Sequence, residues 1–467
     1  MATVIQSYPP DGACHCAFTD LYGIFYLLRA ILGKREYTTM NRRNFLKSSG
    51  AGSLPLIAGG WAGLAFRKGD VDGAGHDRGK DIAGEEGDVG KAAIGRPVAT
   101  GAEGHLPAGA ETPVPVSFIR DGLGYTPAEY ISKLDEINKA RPVKPDFYGT
   151  HGTVEELLTT FAALTGKEAA FFMPSGTLAN QLAIQVLSGE NSKVFVQETS
   201  HVFRDEADAA QSLFGKRLVS LAKGKHAFTL EELQQEISYA AKEEYFKTGI
   251  GAISIEIPVR RCNAQVFPIE ELRKISAWCR EKGYKLHLDG ARLHLASAWS
   301  GVSVREYSSY FDTVYLCLYK YLGATSGAVL CGPKSIIEPM EHLVKVHGGS
   351  MYQNWTNAAM ALHTLQGLEE RLRATRERSD RLFQALNKIP GIQIRPVPEG
   401  SNIFLLQTEK GYDGKTLATV LREKYAIRVP TPEDDGVSYL HVNESLLLRD
   451  EEAIVAAFRA AVPLAKA

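Results

Sequence analysis

The sequence lacks an excess of charge of either sign, which argues against a nucleic-acid-binding protein. Its 467 residues carry a formal net charge of −1, and 23% of them are charged. Nucleic-acid-binding domains usually leave a basic footprint, so the composition gives no support for that class. With 44% hydrophobic residues, the chain has ordinary globular composition and sufficient length for two or three domains with a large core.

Cysteines are few and are not grouped as a metal site requires. None of the six forms the pair-of-pairs spacing of a metal site, and Cys14-x-Cys16 alone is a weak signal. The others lie in apolar or helical contexts, which predicts buried free thiols: Cys262, Cys279, Cys317 and Cys331. The sequence therefore predicts no metal site.

The apolar stretch at residues 51–66 is shorter than the ~20 residues of a membrane-spanning helix. It follows Arg42-Arg43 in MNRRNFLKSSG, a pattern that resembles the twin-arginine export signal. We therefore expect export by the twin-arginine machinery to the periplasm or beyond the cytoplasm, and a cytoplasmic protein if the signal is not used. The alternative is a chance juxtaposition of basic and apolar residues.

Composition divides the rest of the chain. Because Met40 stands where such a signal would begin, we expect residues 1–39 to be an upstream extension and 40–66 to be the signal. Residues 67–112 are rich in Gly, Ala, Asp and Glu, which predicts a disordered linker. We expect an N-terminal arm and large domain over 113–375, and a small C-terminal domain over 376–467.

Strand-like and helix-like segments alternate from Lys167 onward. KVFVQE, GAISIEIPV, KLHLDGA and TVYLCLYK have strand character, and helical patterns such as PIEELRKISAWCREKG lie between them. This alternation predicts an α/β fold with a mostly parallel sheet covered by helices on both faces. A long helical stretch over 357–388 and three later strands predict a smaller α+β domain.

Three predicted strand ends carry polar groups. Ser175-Gly176-Thr177 lies where a strand meets a helix, which suits phosphate but is also an ordinary helix cap. Asp289 ends an apolar strand and needs a cationic partner, either Arg292 nearby or a bound protonated ring nitrogen. Lys320 ends another strand, where it either extends to water or is covalently modified.

Together these residues suit one ligand, pyridoxal 5′-phosphate. The loop at Ser175 would bind its phosphate, Asp289 would keep its ring nitrogen protonated, and Lys320 would hold its aldehyde covalently. Carboxyl ends of parallel strands meet at one edge of a sheet, which brings the three groups together. A lysine attached in this way is no longer a buried ammonium group.

The segments PSGTLANQLAI, TSHVFRDEA, LHLDGARLHLA and YKYLGATSGAVLCG resemble the threonine aldolase and β-eliminating lyase family. The resemblance runs from about Arg120 to the C-terminus and implies a fold-type-I pyridoxal-phosphate enzyme that forms a homodimer or homotetramer. It implies that Gly176 and Thr177 hold phosphate and that His201 stacks on the ring near the substrate hydroxyl. It also implies that Arg292 supports the cofactor. The alternative for His201 is a helix-capping role.

The sequence departs from the family pattern at four places. The lysine is flanked by Tyr319 and Tyr321 instead of Ser and Gly, and Val259 stands near the usual position of a second histidine. VSYLHVNES has His441 but no arginine shortly before it, and FIRDGLGYTP follows the family opening only loosely. Arg260 or Arg261 could replace the missing clamp for the substrate carboxylate, or both could be solvated loop residues.

The resemblance implies retro-aldol cleavage of a β-hydroxy-α-amino acid to glycine and an aldehyde, with His201 as the base. The same cofactor also supports β-elimination, racemisation and transamination, which the sequence does not separate. A catalytically silent exported protein with the same fold is the alternative outside enzyme chemistry.

Overall fold

A computed structural model describes residues 113–467. The predicted upstream extension, export signal and linker, residues 1–112, lie outside these described residues. Within 113–467, no helix is both long enough and apolar enough to cross a membrane.

The strands, in chain order, are β1 (Val116–Ser117), β2 (Ala169–Met173), β3 (Lys193–Gln197), β4 (Arg217–Leu221), β5 (Ile250–Glu256), β6 (Lys285–Asp289), β7 (Thr313–Cys317), β8 (Ala328–Gly332), β9 (Ile392–Pro396), β10 (Ile403–Thr408), β11 (Ile427–Arg428) and β12 (Val437–His441). The helices are α1 (Pro127–Ala140), α2 (Gly152–Thr165), α3 (Gly176–Ser188), α4 (His201–Arg204), α5 (Ala209–Phe214), α6 (Leu230–Glu243), α7 (Ile269–Lys282), α8 (Leu293–Ser300), α9 (Val304–Ser309), α10 (Lys334–Ile337), α11 (Met340–Val346), α12 (Trp355–Leu365), α13 (Leu368–Leu386), α14 (Gly414–Tyr425) and α15 (Glu451–Ala461).

The large domain is built on a seven-stranded sheet in the order β2-β8-β7-β6-β5-β3-β4. The five strands from β4 to β7 pair in parallel, and β8 runs antiparallel to both of its neighbours. Strands β3, β7 and β8 are buried along their whole length because helices cover both faces. The predicted α/β fold with a mostly parallel sheet is confirmed.

The small domain contains an antiparallel sheet in the order β12-β10-β9. Helix α13 joins the two domains, since Leu372 lies in the core of the large domain and Leu382 in that of the small domain. The predicted boundary between residues 375 and 376 therefore falls inside one helix. The N-terminal arm was expected to belong to the large domain, but Val116 and Phe118 pack into the core of the small domain.

The helical stretch predicted over 357–388 consists of two helices. Helices α12 and α13 are separated at Gln366 and Gly367, and Gly367 has a φ of +64°. That left-handed conformation favours glycine and interrupts the helical hydrogen bonds. Because the segments on both sides of Gly367 are helical, the periodicity of the sequence does not reveal the break.

Candidate active site

Three neighbouring strands end side by side at the carboxyl edge of the central sheet. Glu256 ends β5 and Asp289 ends β6, and the two are register partners. Asp289 is also the register partner of Tyr315 in β7, and Lys320 follows the end of β7 by one short turn. Ligands of mostly parallel sheets bind at this edge. The structure brings the buried Asp289 and the half-buried Lys320 to one place.

Helix α3 begins at the predicted phosphate loop. The Oγ atom of Ser175 accepts a hydrogen bond from the Leu178 N–H at 3.2 Å, which caps the helix. Gly176 is buried against the Tyr315 hydroxyl, where any side chain would collide, and Thr177 next to it is half-buried. The start of α3 therefore lies against β7. Its unpaired N–H groups and hydroxyls have the chemistry of an anion site.

His201 opens α4 and belongs to the same group. Its backbone N–H donates to Glu256 Oε2 at 2.7 Å, and its Nδ1 lies 3.4 Å from Asp205 Oδ2. Burial lowers the pKa of His201, and the nearby charges of Asp289 and Lys320 act on it in opposite directions. The lowered pKa favours the neutral imidazole, the form that can accept a proton.

Two residues that the sequence analysis missed, Asn180 and Glu206, complete the surroundings of Asp289. The side-chain amide of Asn180 donates to Asp289 Oδ2 at 3.0 Å and to Glu206 Oε1 at 2.9 Å. Burial raises the pKa of Glu206 to about 8, and the charge of Asp289 acts in the same direction. The available signal was spacing, since Asn180 lies one helical turn after Gly176 on α3.

Arg292 does not pair with Asp289, so the local pair considered from the sequence is wrong. Its Nε atom donates to Asp121 Oδ2 at 2.7 Å, and Asp121 Oδ1 lies 3.0 Å from His441 Nδ1. Burial raises the pKa of Asp121, but His441 and Arg292 outweigh it and hold that pKa well below its usual range. These two contacts join the N-terminal arm, the large domain and the small domain. They also leave Asp289 without a protein cation as its hydrogen-bond partner within residues 113–467.

The two tyrosines beside Lys320 have different surroundings. Tyr319 is 46% exposed, and the Lys320 Nζ atom lies 5.7 Å from the centroid of its ring. Tyr321 is buried, and its hydroxyl accepts a hydrogen bond from the backbone N–H of His294 at 3.4 Å. Gly122 packs so closely on the backbone of Lys320 and Tyr321 that any side chain there would collide. The lysine segment is therefore fixed by its neighbours.

Arg260 and Arg261 lie beside His201 and share one partner. Arg260 Nη2 donates to Asp205 Oδ2 at 2.6 Å, and Arg261 donates to both oxygens of that carboxylate. The hydrogen bond from Arg261 lowers the pKa of Asp205, and Arg260 adds to the effect despite burial. The Arg260 backbone N–H also donates to Glu256 Oε1 at 3.0 Å. Both guanidinium groups are about half exposed, at the side of His201 that bears Asp205.

The residues of this site fit pyridoxal phosphate. Glu206 Oε2 is a buried oxygen without a hydrogen-bond partner in the described part of the chain, which marks an incompletely filled polar site. The hydroxyls and helix start at Ser175 suit a phosphate, and Asp289 suits a protonated ring nitrogen. Lys320 is the amine that an aldehyde requires.

Comparison with known proteins agrees with this geometry. The family model described as beta-eliminating lyase matches residues 135–409. A low-specificity L-threonine aldolase from Candida albicans is 32% identical over 285 residues, which cover 60% of this chain and 75% of that protein. The low-specificity L-threonine aldolase of Saccharomyces cerevisiae is 35% identical over 218 residues, covering 46% of this chain and 55% of that protein.

Solved structures give the same result. An aromatic amino acid beta-eliminating lyase/threonine aldolase from Exiguobacterium sp. aligns with a TM-score of 0.62 and 25% identity, covering 74% of this chain and 97% of that chain. The family match, the fold and the site chemistry agree on the cofactor. The chain belongs to the beta-eliminating lyase family and is a pyridoxal-phosphate-dependent enzyme of fold type I.

Proposed function

We propose that this chain is a carbon–carbon lyase that cleaves a β-hydroxy-α-amino acid to glycine and an aldehyde. The Candida and Saccharomyces relatives support this reaction, since both are low-specificity L-threonine aldolases. The observation that carries the proposal is the position of His201, an imidazole that lies near both Asp289 and Lys320 and whose pKa is lowered by burial. A lyase of this type needs such a base near the substrate hydroxyl.

Each polar group of the site has a role in the proposal. Ser175, Gly176 and Thr177 would bind the cofactor phosphate, and Asp289 would pair with the ring nitrogen. Lys320 would hold the cofactor covalently until substrate replaces it, and Arg292 would support the site while anchored to Asp121. Bound pyridoxal phosphate supplies an electron sink for the Cα atom of the amino acid attached to it.

His201 would take the hydroxyl proton of the substrate. Asp205 Oδ2, 3.4 Å from His201 Nδ1, would favour the imidazolium that results. As the Cα–Cβ bond breaks, its electron pair stays with Cα and the hydroxyl oxygen becomes the aldehyde oxygen. Return of one proton to Cα completes glycine, so the two products contain all atoms of the substrate.

Product analysis tests the reaction. Purified protein with bound cofactor is incubated with L-threonine, L-allo-threonine and phenylserine, and the amino acid and carbonyl products are identified. The proposal expects glycine in each productive case, with acetaldehyde from the first two substrates and benzaldehyde from the third. A 2-oxo acid with ammonia, or an epimer of the substrate, without glycine would overturn it.

A further inference from the structure

A chain of three buried side chains runs behind the site. Thr313 opens β7, His287 lies in the middle of β6, and Asn180 lies on α3. All three are 0% exposed. His287 Nδ1 lies 2.8 Å from Thr313 Oγ1, and His287 Nε2 lies 3.0 Å from Asn180 Oδ1. The proposed reaction uses neither Thr313 nor His287 directly.

The hydrogen bonds of Asn180 determine which atoms donate and which accept along this row of side chains. Its amide nitrogen donates one hydrogen to Asp289 Oδ2 and the other to Glu206 Oε1, so its oxygen faces His287. An amide oxygen only accepts, so His287 carries its proton on Nε2. Its Nδ1 then accepts from the Thr313 hydroxyl. Burial lowers the pKa of His287 to about 4, which agrees with this neutral tautomer.

This series of hydrogen bonds ends at the carboxylate of Asp289. Its Oδ2 accepts from Asn180, and its Oδ1 accepts from the Ala291 N–H at 3.1 Å. These two donors approach different oxygens and so fix the plane of the carboxylate. Glu256 and Glu206 are buried acids near Asp289. The Asn180 amide therefore stabilises the Asp289 carboxylate in addition to the Ala291 N–H.

We propose that His287 and Asn180 are positioning residues that orient the Asp289 carboxylate towards the ring nitrogen of bound pyridoxal phosphate. His287 acts through Asn180, and Thr313 acts through His287 by holding its tautomer. The inference rests on the role proposed for Asp289, and it does not depend on which reaction follows. A buried histidine with only a packing role would leave cofactor affinity unchanged at equal stability.

The test uses cofactor affinity, measured without substrate. His287→Leu removes the donor to Asn180, whereas His287→Gln keeps an N–H group at a similar distance from the backbone. Cofactor-free protein is titrated with pyridoxal phosphate and followed by absorbance, and each variant is also melted thermally. His287→Leu should weaken binding about tenfold, as expected for loss of one hydrogen bond. His287→Gln should recover most of that loss.

A matched threonine pair covers the case in which His287→Leu does not fold. Thr313 and Thr375 are both 0% exposed, but the Thr375 hydroxyl donates to the Arg371 carbonyl within α13 and takes no part in the hydrogen bonds of His287, Asn180 and Asp289. Thr313→Val should weaken cofactor binding several-fold, while Thr375→Val should lower the melting temperature without changing affinity. Equal affinities of these two variants, or wild-type affinity of a folded His287→Leu, would overturn the proposal.

Asp289→Asn serves as the reference variant. If its affinity and its absorbance spectrum match those of the wild type, the role proposed for Asp289 fails and the positioning role fails with it. If Asp289→Asn changes both while His287→Leu and Thr313→Val change neither, only the positioning role fails.

Discussion

Glu256 and Asp289 are register partners at the ends of adjacent parallel strands, and both carboxyl groups are buried. Burial raises the pKa of Glu256 to about 7, and the charge of Asp289 acts in the same direction. Glu206 is a third buried acid, joined to Asp289 through Asn180. Burial and the charge of Asp289 oppose the ionisation of Glu206 and Glu256. Stability should therefore depend on pH near neutrality.

Replacing Glu206 by Gln should reduce the loss of stability of the cofactor-free protein as pH rises. Burial raises the pKa of Glu206 from its ordinary 4.5 to about 8, so the native state binds a proton that the unfolded state releases. This contribution is fully present below the unfolded pKa and is lost as pH rises towards the folded one. Between about pH 6.5 and 8, it should change the free energy of unfolding by about 1 to 2 kcal/mol.

Urea unfolding of both proteins at the two pH values measures this difference. The comparison stays above pH 6.5 because the lowered pKa of His287 has the opposite effect on the acid side. Glu338→Gln, at an exposed position, is the matched control. If the Glu206 and Glu338 variants keep the same pH dependence as the wild type, Glu206 does not hold the proton.

Lys320→Ala should remove the absorbance of covalently bound cofactor and stop turnover while the protein stays folded. The side chain is half-buried at the end of a short turn, so its loss removes little core packing. Visible absorbance, steady-state kinetics and a thermal melt on the same preparation check this. Full activity in the variant would contradict the covalent role.

The sequence predicted those parts of the site that follow from strand ends. Asp289 and Lys320 were found because apolar strands end next to them and parallel strands end at one edge. Strand β8 was missed because no helix separates it from β7, so its antiparallel pairing breaks the strand–helix alternation.

Contacts between distant segments could not be predicted in the same way. Asp121 and His441 are 320 positions apart, and their contact depends on the packing of the arm against the small domain. Asn180 and His287 look like ordinary polar residues of a helix and a strand. Their roles become visible only when α3 is packed against β6, since no local pattern marks a buried polar partner.

Asp289→Asn should bind cofactor but react about a hundredfold more slowly, the typical loss for one removed electrostatic contact. An amide has nearly the same shape as a carboxylate but cannot stabilise a protonated ring nitrogen. The kcat of the variant, measured on the substrate that product analysis identifies, checks this. A near-normal kcat would restrict Asp289 to a structural role.

Arg260→Ala should raise the substrate KM about tenfold with little change in kcat, as expected when a binding contact is lost. The Arg260 backbone is held by the same Glu256 carboxylate that holds His201, which keeps its guanidinium near the base. Arg261→Ala should have a smaller effect, because two hydrogen bonds hold the Arg261 guanidinium on Asp205, whereas one holds that of Arg260.

Arg273→Ala is the matched control for this pair. Arg273 is 44% exposed and also pairs with carboxylates, Glu270 and Glu306, but on the outer helices α7 and α9. The substrate KM of Arg273→Ala should equal that of the wild type. Unchanged KM values for all three variants would end the idea that Arg260 or Arg261 clamps the substrate carboxylate.

The Arg42-Arg43 pair predicts export of the folded protein with cofactor bound. The site contains Gly176, Asp289 and Lys320 from separate strand ends, so it exists only after the large domain has folded. A route that moves unfolded chains would require the cofactor to be found outside the cytoplasm, whereas the twin-arginine route moves folded proteins.

Fractionation of cells that express the chain from Met40 should therefore recover holoenzyme in the periplasm. The double variant Arg42→Lys/Arg43→Lys should stay in the cytoplasm, folded and active, because the substitutions lie outside the described domains. A chain that starts near Pro113 should behave like the double variant. Equal amounts of wild type and double variant in the periplasm, or neither in it, would contradict the twin-arginine interpretation.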